Sequence, residues 1–358
     1  MNHNSSKIYL ITSHNRFYGQ SRKPWVSIDT NRLHQQLRNG SFEVIELEQH
    51  QAVSLLPTIR DSVVLFSFSQ IENTRSYLKD LVHILLLNGN LLLPSYELLL
   101  CHENKGYQEL FKQHLGIADL KGLYLSSREE LDSYQIDYPV VLKSVDGSNA
   151  NGVHLVNSKQ ELLSKLTQME AQLSLFDRTD LLRRKYLRAK RSIPGWENYH
   201  PVNDEIQYRK HITPRIRFVL QEFIPGLDCD YRVIVLRDKF YVSKRLTRKG
   251  DWRASGTKLF TYEEVPDTAI LDYAKKLFDK ISLPVLAMDL GKSGDSIHLF
   301  EFQASHFGIT PIQCGPGFFS KNEGNWVFTK AKGCFEDDLA RAVIGYLVDK
   351  GYGKITGN

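Results

Sequence analysis

A chain of 358 residues is longer than one hydrophobic core usually grows, so two or three compact parts are expected. Its 46 Lys and Arg against 41 Asp and Glu leave a formal charge of +5, too mild for a nucleic-acid binder and better matched to small anionic ligands. The four cysteines, Cys101, Cys229, Cys314 and Cys334, lie far apart without metal-ligand spacing, which argues against a zinc site or a disulfide framework and for free thiols in a reducing, cytoplasmic setting.

Met1–Lys7 is polar and Ile8–Thr12 is too short for a signal-peptide core, so the latter is taken as a first strand. A helix over Thr30–Leu37, strands over Glu43–Leu47 and Ser62–Ser67, an amphipathic helix over Glu72–Leu87 and a strand over Leu91–Leu93 follow. Such alternation predicts a small α/β sheet with helices on its faces. No G-x-G-x-x-G accompanies it, so this part is expected to support or bind a substrate and not to hold a nucleotide. The most apolar region, Leu81–Leu100, is interrupted by Asn88-Gly-Asn90 and Pro94 and predicts no membrane span.

The next helix spans Glu103–Gly116, with Leu110, Phe111 and Leu115 expected on one face and Gly116 at the C-cap. Lys105 in its first turn is ill placed for the helix dipole and suited to a phosphate beside free amides; a surface lysine is the plain alternative. After a strand-like Gly122–Leu125, Tyr138–Val145 and Val153–Val156 form two strands around the loop Asp146–Gly152. Gly147, Ser148 and Gly152 allow that loop to lay its amides over a phosphate chain, and Lys143 brings a point charge to the same space. Ser158 and Glu161 predict a capping box for a helix reaching about Leu173.

From about Leu175 to Pro214 a basic run, Arg183–Arg191, and a turn-rich aromatic stretch, Ile193–Pro201, fit a mobile, solvated insertion over the active site better than the nucleic-acid face that interleaved basics and aromatics suggest. The insertion could also take a negatively charged acceptor. Ile216–Ile224 alternates as a strand, Asp230–Val235 and Phe240–Arg245 form a hairpin, and Gly250–Gly256 is a polar loop. Asp267–Ile281 is an amphipathic helix, and Phe335–Lys350 closes the chain with Leu339, Val343 and Leu347 on one stripe.

The chemistry concentrates in Leu286–Gln303. Two apolar runs flank Gly291–Ser296, which predicts a hairpin with a rather long loop. A period of two puts Glu301 and Gln303 on one face, and the hairpin folds Asp289 back beside them. These are hard oxygen donors of the kind magnesium takes, in small number, before completing its shell with water and phosphate. An ordinary hairpin with solvent-facing acids has the same spacing.

The order of these features resembles the ATP-grasp superfamily, and within it the ribosomal-protein-modifying glutamate ligases. The resemblance is carried by Asn104-Lys105, Tyr138–Lys143, Gly147–Gly152, Gln221–Gly226, Asp230-Tyr-Arg232-Val, Lys244-Arg245 with Gly250–Ser255, and Asp289 with Glu301-Phe-Gln303. It covers about Pro94–Phe307 and implies an α/β (α+β) ATP-grasp fold with an N-terminal α/β pre-grasp domain. Residues 1–93 would be that domain, 94–220 the first ATP-grasp lobe with the basic insertion at about 175–214, and 221–358 the second lobe with the C-terminal helix.

The same resemblance implies ATP and magnesium as cofactors, with manganese as a substitute. Lys105 and Lys143 would hold ATP phosphates, with Gly147, Ser148 and Gly152 closing over them. Gln221, Glu222, Phe223 and Ile224 would face adenine and Asp230 the ribose. Arg232, Lys244, Arg245 and Arg253 would surround the triphosphate and the acceptor, and Asp289, Glu301 and Gln303 would hold the metal. The pattern departs from the family at Gln303, where asparagine is usual, at Ala254-Ser255, which replaces a Ser-Asn pair, and after Ser305, where His306 stands in place of a proline.

The implied activity is ATP-dependent joining of a carboxylate to an amine or a thiol through an acyl phosphate, releasing ADP and phosphate. A kinase on the same fold, with His306 as base for a hydroxyl acceptor, and a nucleotide binder without catalysis are the alternatives. The expected partner is an anionic small-molecule, peptide or saccharide acceptor, with no nucleic acid, no membrane span, and self-association left open.

Overall fold

The structure is a computed structural model that describes residues 7–19, 27–145, 152–170, 174–183, 200–212, 216–254, 256–257, 259–265 and 267–353. In chain order the first elements are β1 (Lys7–Thr12), α1 (Thr30–Asn39), β2 (Glu43–Glu48), α2 (Gln49–Ser54), β3 (Val63–Phe66), α3 (Glu72–Leu87), β4 (Leu91–Leu93), α4 (Tyr96–Cys101) and α5 (Lys105–His114). Then come β5 (Gly122–Leu125), β6 (Val140–Ser144), β7 (Val153–Val156), α6 (Lys159–Met169), α7 (Leu175–Arg183), α8 (Pro201–Ile212) and β8 (Phe218–Glu222). The last are β9 (Cys229–Leu236), β10 (Lys239–Leu246), β11 (Phe260–Thr261), α9 (Thr268–Ile281), β12 (Val285–Ser293), β13 (Ser296–Gln303), α10 (Thr310–Cys314), β14 (Gly317–Asn322), β15 (Asn325–Lys330) and α11 (Phe335–Asp349). The chain divides into two compact units: Met1–Gly122 with Val145–Asn151 and Ile224–Asn358, and Leu123–Ser144 with Gly152–Phe223.

The larger unit holds two sheets. The first is parallel, in the order β2-β1-β3-β4, as the alternation of strands and helices predicts. The second runs β13-β12-β9-β10-β14-β15, with β11 on β10, and its pairings are antiparallel. Successive side chains take opposite faces. Val233, Val235, Leu286, Met288 and Phe302 pack with Ile270, Leu271, Ala274 and Leu277 of α9. On the opposite face, Ile234, Tyr241 and Ala287 join Leu33 and Leu37 of α1 and Leu339, Val343 and Leu347 of α11, the stripe expected there. Each Val, Leu, Ile, Met or Phe among them contributes roughly 1.5–3 kcal/mol by leaving water.

The smaller unit is the sheet β5-β8-β6-β7 with α6 across it, Phe218, Leu220 and Leu142 meeting Leu162 and Leu166. Part of the supposed irregular insertion is helical: α7 and α8 pack together. Ser174 starts α7, its hydroxyl accepting from the Asp177 amide at 3.1 Å, an N-cap that the surrounding charges obscure in the sequence. Most of Arg183–Arg191 and of Ile193–Pro201 lies outside the described residues.

Three local expectations are corrected. The Gly291–Ser296 loop is tighter than expected: β12 runs to Ser293, β13 starts at Ser296, and only Gly294-Asp295 turn, with Gly294 at φ +58°. The capping box is half formed, because Ser158 accepts from the Glu161 amide while the Glu161 carboxylate takes the amide of Asn157; α6 also stops at Met169 instead of about Leu173. On α5, Phe111 and Leu115 pack on the core as expected, but Leu110 is 48% exposed, and the buried residues are Gly106, Gln108, Glu109 and Lys112. Their polar groups are paired: Lys112 donates to Glu109 at 2.7 Å, and Gln108 donates to the Cys101 carbonyl at 3.0 Å and accepts from the Phe302 amide at 3.4 Å.

Lys112 is 1% exposed, so removing it takes a buried charged partner from the Glu109 carboxylate. Lys112→Ala is expected to lower unfolding free energy by about 3–5 kcal/mol, and adding Glu109→Gln to recover part of the loss. Urea denaturation of both variants checks this; an equal or larger loss in the double variant would contradict it.

Candidate functional site

Two hairpins of the antiparallel sheet place charged residues in register. Glu301 faces Asp289 across β13 and β12, Asp289 faces Arg232 across β12 and β9, and Arg232 faces Ser243 across β9 and β10. On the same face of this last hairpin, Asp230 stands opposite Arg245. The register between β12 and β13 slips after Asp289, so that Leu290 faces Leu299 and Phe300 is the extra residue of a bulge. Without that bulge Glu301 would not stand opposite Asp289.

Asp289 is 8% exposed and fully engaged. Arg232 donates from Nε to Oδ1 at 2.5 Å and from Nη2 to Oδ2 at 2.9 Å, and Arg245 Nη2 lies 3.0 Å from Oδ2. Arg245 also grips Asp230 through two bonds of 2.5 and 2.7 Å. Burial opposes the charge on Asp289, yet Arg232 and Arg245 outweigh it and bring the carboxyl down to about 2. For Asp230 burial prevails over Arg245 and its carboxyl sits above the usual range. Burial likewise opposes the charge on Arg245, and the two carboxylates overcome it.

The donor set next to this network has the chemistry of a hard divalent cation site: two carboxylates and an amide oxygen. Gln303 lies beside Glu301, its Nε2 donating to Glu301 Oε1 at 3.4 Å, which leaves the amide oxygen for another partner. The set therefore fits magnesium in kind, with Asp289 held by arginine.

The other expected residues are placed as follows. Lys105 is the first residue of α5, its amide donating to the Val145 carbonyl at 3.1 Å behind the N-cap Asn104. In the smaller unit Lys143 donates to Gln221 Oε1 at 2.6 Å, so Gln221 holds the lysine with its side chain. Glu222 ends β8, with Phe223 and Ile224 following it. Gly152 has φ +70°, and a Cβ there would lie 2.2 Å from Ser144 Oγ, so the glycine is required. Gly147, Ser148 and Ser255 lie outside the described residues.

Lys244 follows Tyr231 in register and so takes the face opposite Arg245, where it lies 3.6 Å from Glu263. Arg253 is paired to Asp251 within its own loop at 3.0 and 3.1 Å. His306 Nδ1 is 3.1 Å from the Phe68 carbonyl; a carbonyl only accepts, so Nδ1 carries the proton and Nε2 the lone pair. Sequence reasoning missed His102, whose ring centroid lies 5.7 Å from that of His306 and whose Nε2 has no partner among the described residues. Only its place after α4 brings it there; no local motif marks it. Burial lowers the pKa of both histidines, well below the usual value for His102.

No family profile matches this sequence, and neither does any curated protein. Solved structures do. The RimK-domain ATP-grasp protein of Sphaerobacter thermophilus superposes with a TM-score of 0.50 at 11% identity, over 95% of this chain and 98% of that one. D-cycloserine synthetase DcsG superposes with a TM-score of 0.51 at 11% identity, over 95% of this chain and 99% of that one.

The chain has the ATP-grasp fold. The mixed α/β class expected from the sequence is thereby borne out. Within this fold the charged row on β13, β12 and β9 is the candidate site, and no described helix is long and apolar enough to cross a membrane.

The histidines give a pH signature. Both are harder to protonate folded than unfolded, so the unfolded chain binds more protons below about pH 6.5, and stability falls as pH falls through that region. The expected slope approaches at most about 1.4 kcal/mol per pH unit for each histidine. Asp289, depressed in the fold, adds a separate loss only below about pH 4. Urea midpoints from pH 7.5 to 5 measure the first effect, and His102→Asn with His306→Asn should flatten it; an unchanged slope in that variant would refute the assignment.

Proposed function

We propose that the chain is an ATP-dependent ligase that joins a carboxylate to an amine through an acyl phosphate. The observation that carries this is the register Glu301–Asp289–Arg232, which assembles metal-type oxygen donors beside guanidinium groups on an ATP-grasp fold. Phosphoryl transfer depends on position and charge neutralisation more than on a covalent protein group, and this is such an arrangement. Lys105 and Lys143 are assigned to ATP phosphates, Arg232 and Arg245 to the charge that moves during transfer, and Glu301 and Gln303 with Asp289 to the metal. Magnesium, when bound there, would neutralise phosphate oxygens.

In the first step an oxygen of the acceptor carboxylate attacks the γ-phosphorus and ADP leaves. In the second the amine nitrogen attacks the carbonyl carbon, phosphate leaves and the amine gives up a proton. A carboxylate is already ionised at neutral pH, so the first step requires no base. The carboxylate–thiol version differs only in the second nucleophile. A kinase is the second reading, favoured by one observation: His306 presents an unprotonated Nε2, the form a hydroxyl acceptor would need as base.

Incubation with ATP, magnesium and paired carboxylate and amine candidates should release ADP and phosphate in equal amounts. ADP with a stably phosphorylated acceptor would reject the ligase in favour of the kinase, and His306→Ala should then abolish turnover. Glu301→Gln is expected to abolish magnesium-dependent turnover while changing unfolding free energy by less than about 0.5 kcal/mol, since Glu301 is only partly buried. Lys143→Ala should weaken ATP binding by about tenfold or more, measured by calorimetry; unchanged affinity would remove the lysine from the phosphate role.

A further inference from the structure

Asp289 has two uses that compete. As a metal ligand it needs a free oxygen lone pair and an approach for a second positive charge. In the structure Arg232 takes both oxygens in the fork geometry that guanidinium and carboxylate share, and Arg245 adds a third contact at 3.0 Å. The four groups Asp230, Arg232, Arg245 and Asp289 sum to zero charge, so the cluster offers little attraction to a cation arriving alone. The one further acid in the row, Glu301, is shared with the Gln303 amide.

A phosphate chain changes the balance. Guanidinium binds phosphate through the same fork, so an arriving triphosphate competes for Arg232 and Arg245 as Asp289 does. When Arg232 turns to phosphate it returns Oδ1 of Asp289, Oδ2 is returned once Arg245 turns as well, and each guanidinium that leaves takes with it a charge that repels a cation. Metal and nucleotide then favour one another without any change of backbone, because binding free energies are reciprocally linked.

We propose that Arg232, with Arg245, is a positioning residue that keeps Asp289 closed to divalent cations until nucleotide phosphate draws the guanidiniums away. The protein thus takes its metal with the nucleotide and not before it. This rests on the ligase reading for the identity of the nucleotide, and deepens it by giving the ion pairs a regulatory use.

The experiment uses the full chain and manganese as the probe, free Mn²⁺ being read from its paramagnetic resonance signal without turnover. The wild type without nucleotide should bind Mn²⁺ weakly. Arg232→Gln should raise that nucleotide-free affinity about tenfold, Arg232→Lys should raise it less because the charge is kept, and Arg232→Gln with Asp289→Asn should lose the gain. A purely structural role for Arg232 would lower Mn²⁺ affinity along with stability in all variants. If Arg232→Gln does not fold, the comparison is made with Arg232→Lys, in which any rise or its absence decides. In parallel, a non-hydrolysable ATP analogue is titrated with magnesium. Analogue binding together with unchanged or weaker Mn²⁺ affinity in the Arg232 variants overturns the inference and leaves the ligase reading standing. No analogue binding overturns the ligase reading and removes the agent the inference requires.

Discussion

Asp230, Arg245 and Asp289 are buried on one sheet face beside the half-buried Arg232, and charges so placed can exist only as partners. Asp230, Arg245, Asp289 and Arg232 satisfy that condition through fork-shaped pairs, and the loss of Arg245 would take from the buried Asp230 its partner in the cluster. Their pairing depends on strand register. A slip of one residue between β12 and β9 would send Asp289 to the face that packs on α9, where it would replace an apolar neighbour. The apolar packing behind the sheet and the charged row in front of it therefore stabilise the same register for different reasons.

That register also organises the chemistry. The bulge at Phe300 brings Glu301 level with Asp289, and the two-residue turn at Gly294-Asp295 sets the pairing of the whole hairpin. One end of this sheet face is given to the core through Ile234, Tyr241 and Ala287 and the other to charge. The candidate site sits on strands and not on loops, so its side chains are held by the ladder itself. At His306 the same unit keeps a neutral imidazole on a backbone carbonyl, which fixes its tautomer while burial suppresses its charge.

Much of this was legible in the residues alone. Alternating apolar runs marked β9, β10, β12 and β13, the 3.6-residue stripe Leu339, Val343 and Leu347 marked the buried side of α11, and Asp267 marked the start of α9 with its side chain on the amides of Ala269 and Ile270. Less legible were places where a polar residue found a partner far along the chain or just next to it. Lys112 and Gln108 are buried because Glu109, Cys101 and Phe302 meet them, so the inner face of α5 leaves Leu110 outside while Phe111 and Leu115 pack on the core as expected. Glu161 turned to Asn157 instead of closing the capping box, and Ser174 started a helix in a stretch dominated by charge. The β14–β15 hairpin went unread although Glu323-Gly324, both at positive φ, is a turn signal between aromatic-rich strands.

By itself the sequence determined the residue types and their periods: which faces are apolar, where strands turn, and that Asp289, Glu301 and Gln303 fall on the two arms of one hairpin. These follow from local backbone geometry, which each segment carries with it. The tertiary structure alone decided who holds whom. That Asp289 is gripped by Arg232 and Arg245, that Gln221 serves Lys143 with its side chain, and that Lys244 faces away from Arg245 are outcomes of strand order and register. Electrostatic pairing reaches over a few ångströms and ignores distance along the chain, so it can be seen only once the strands lie side by side.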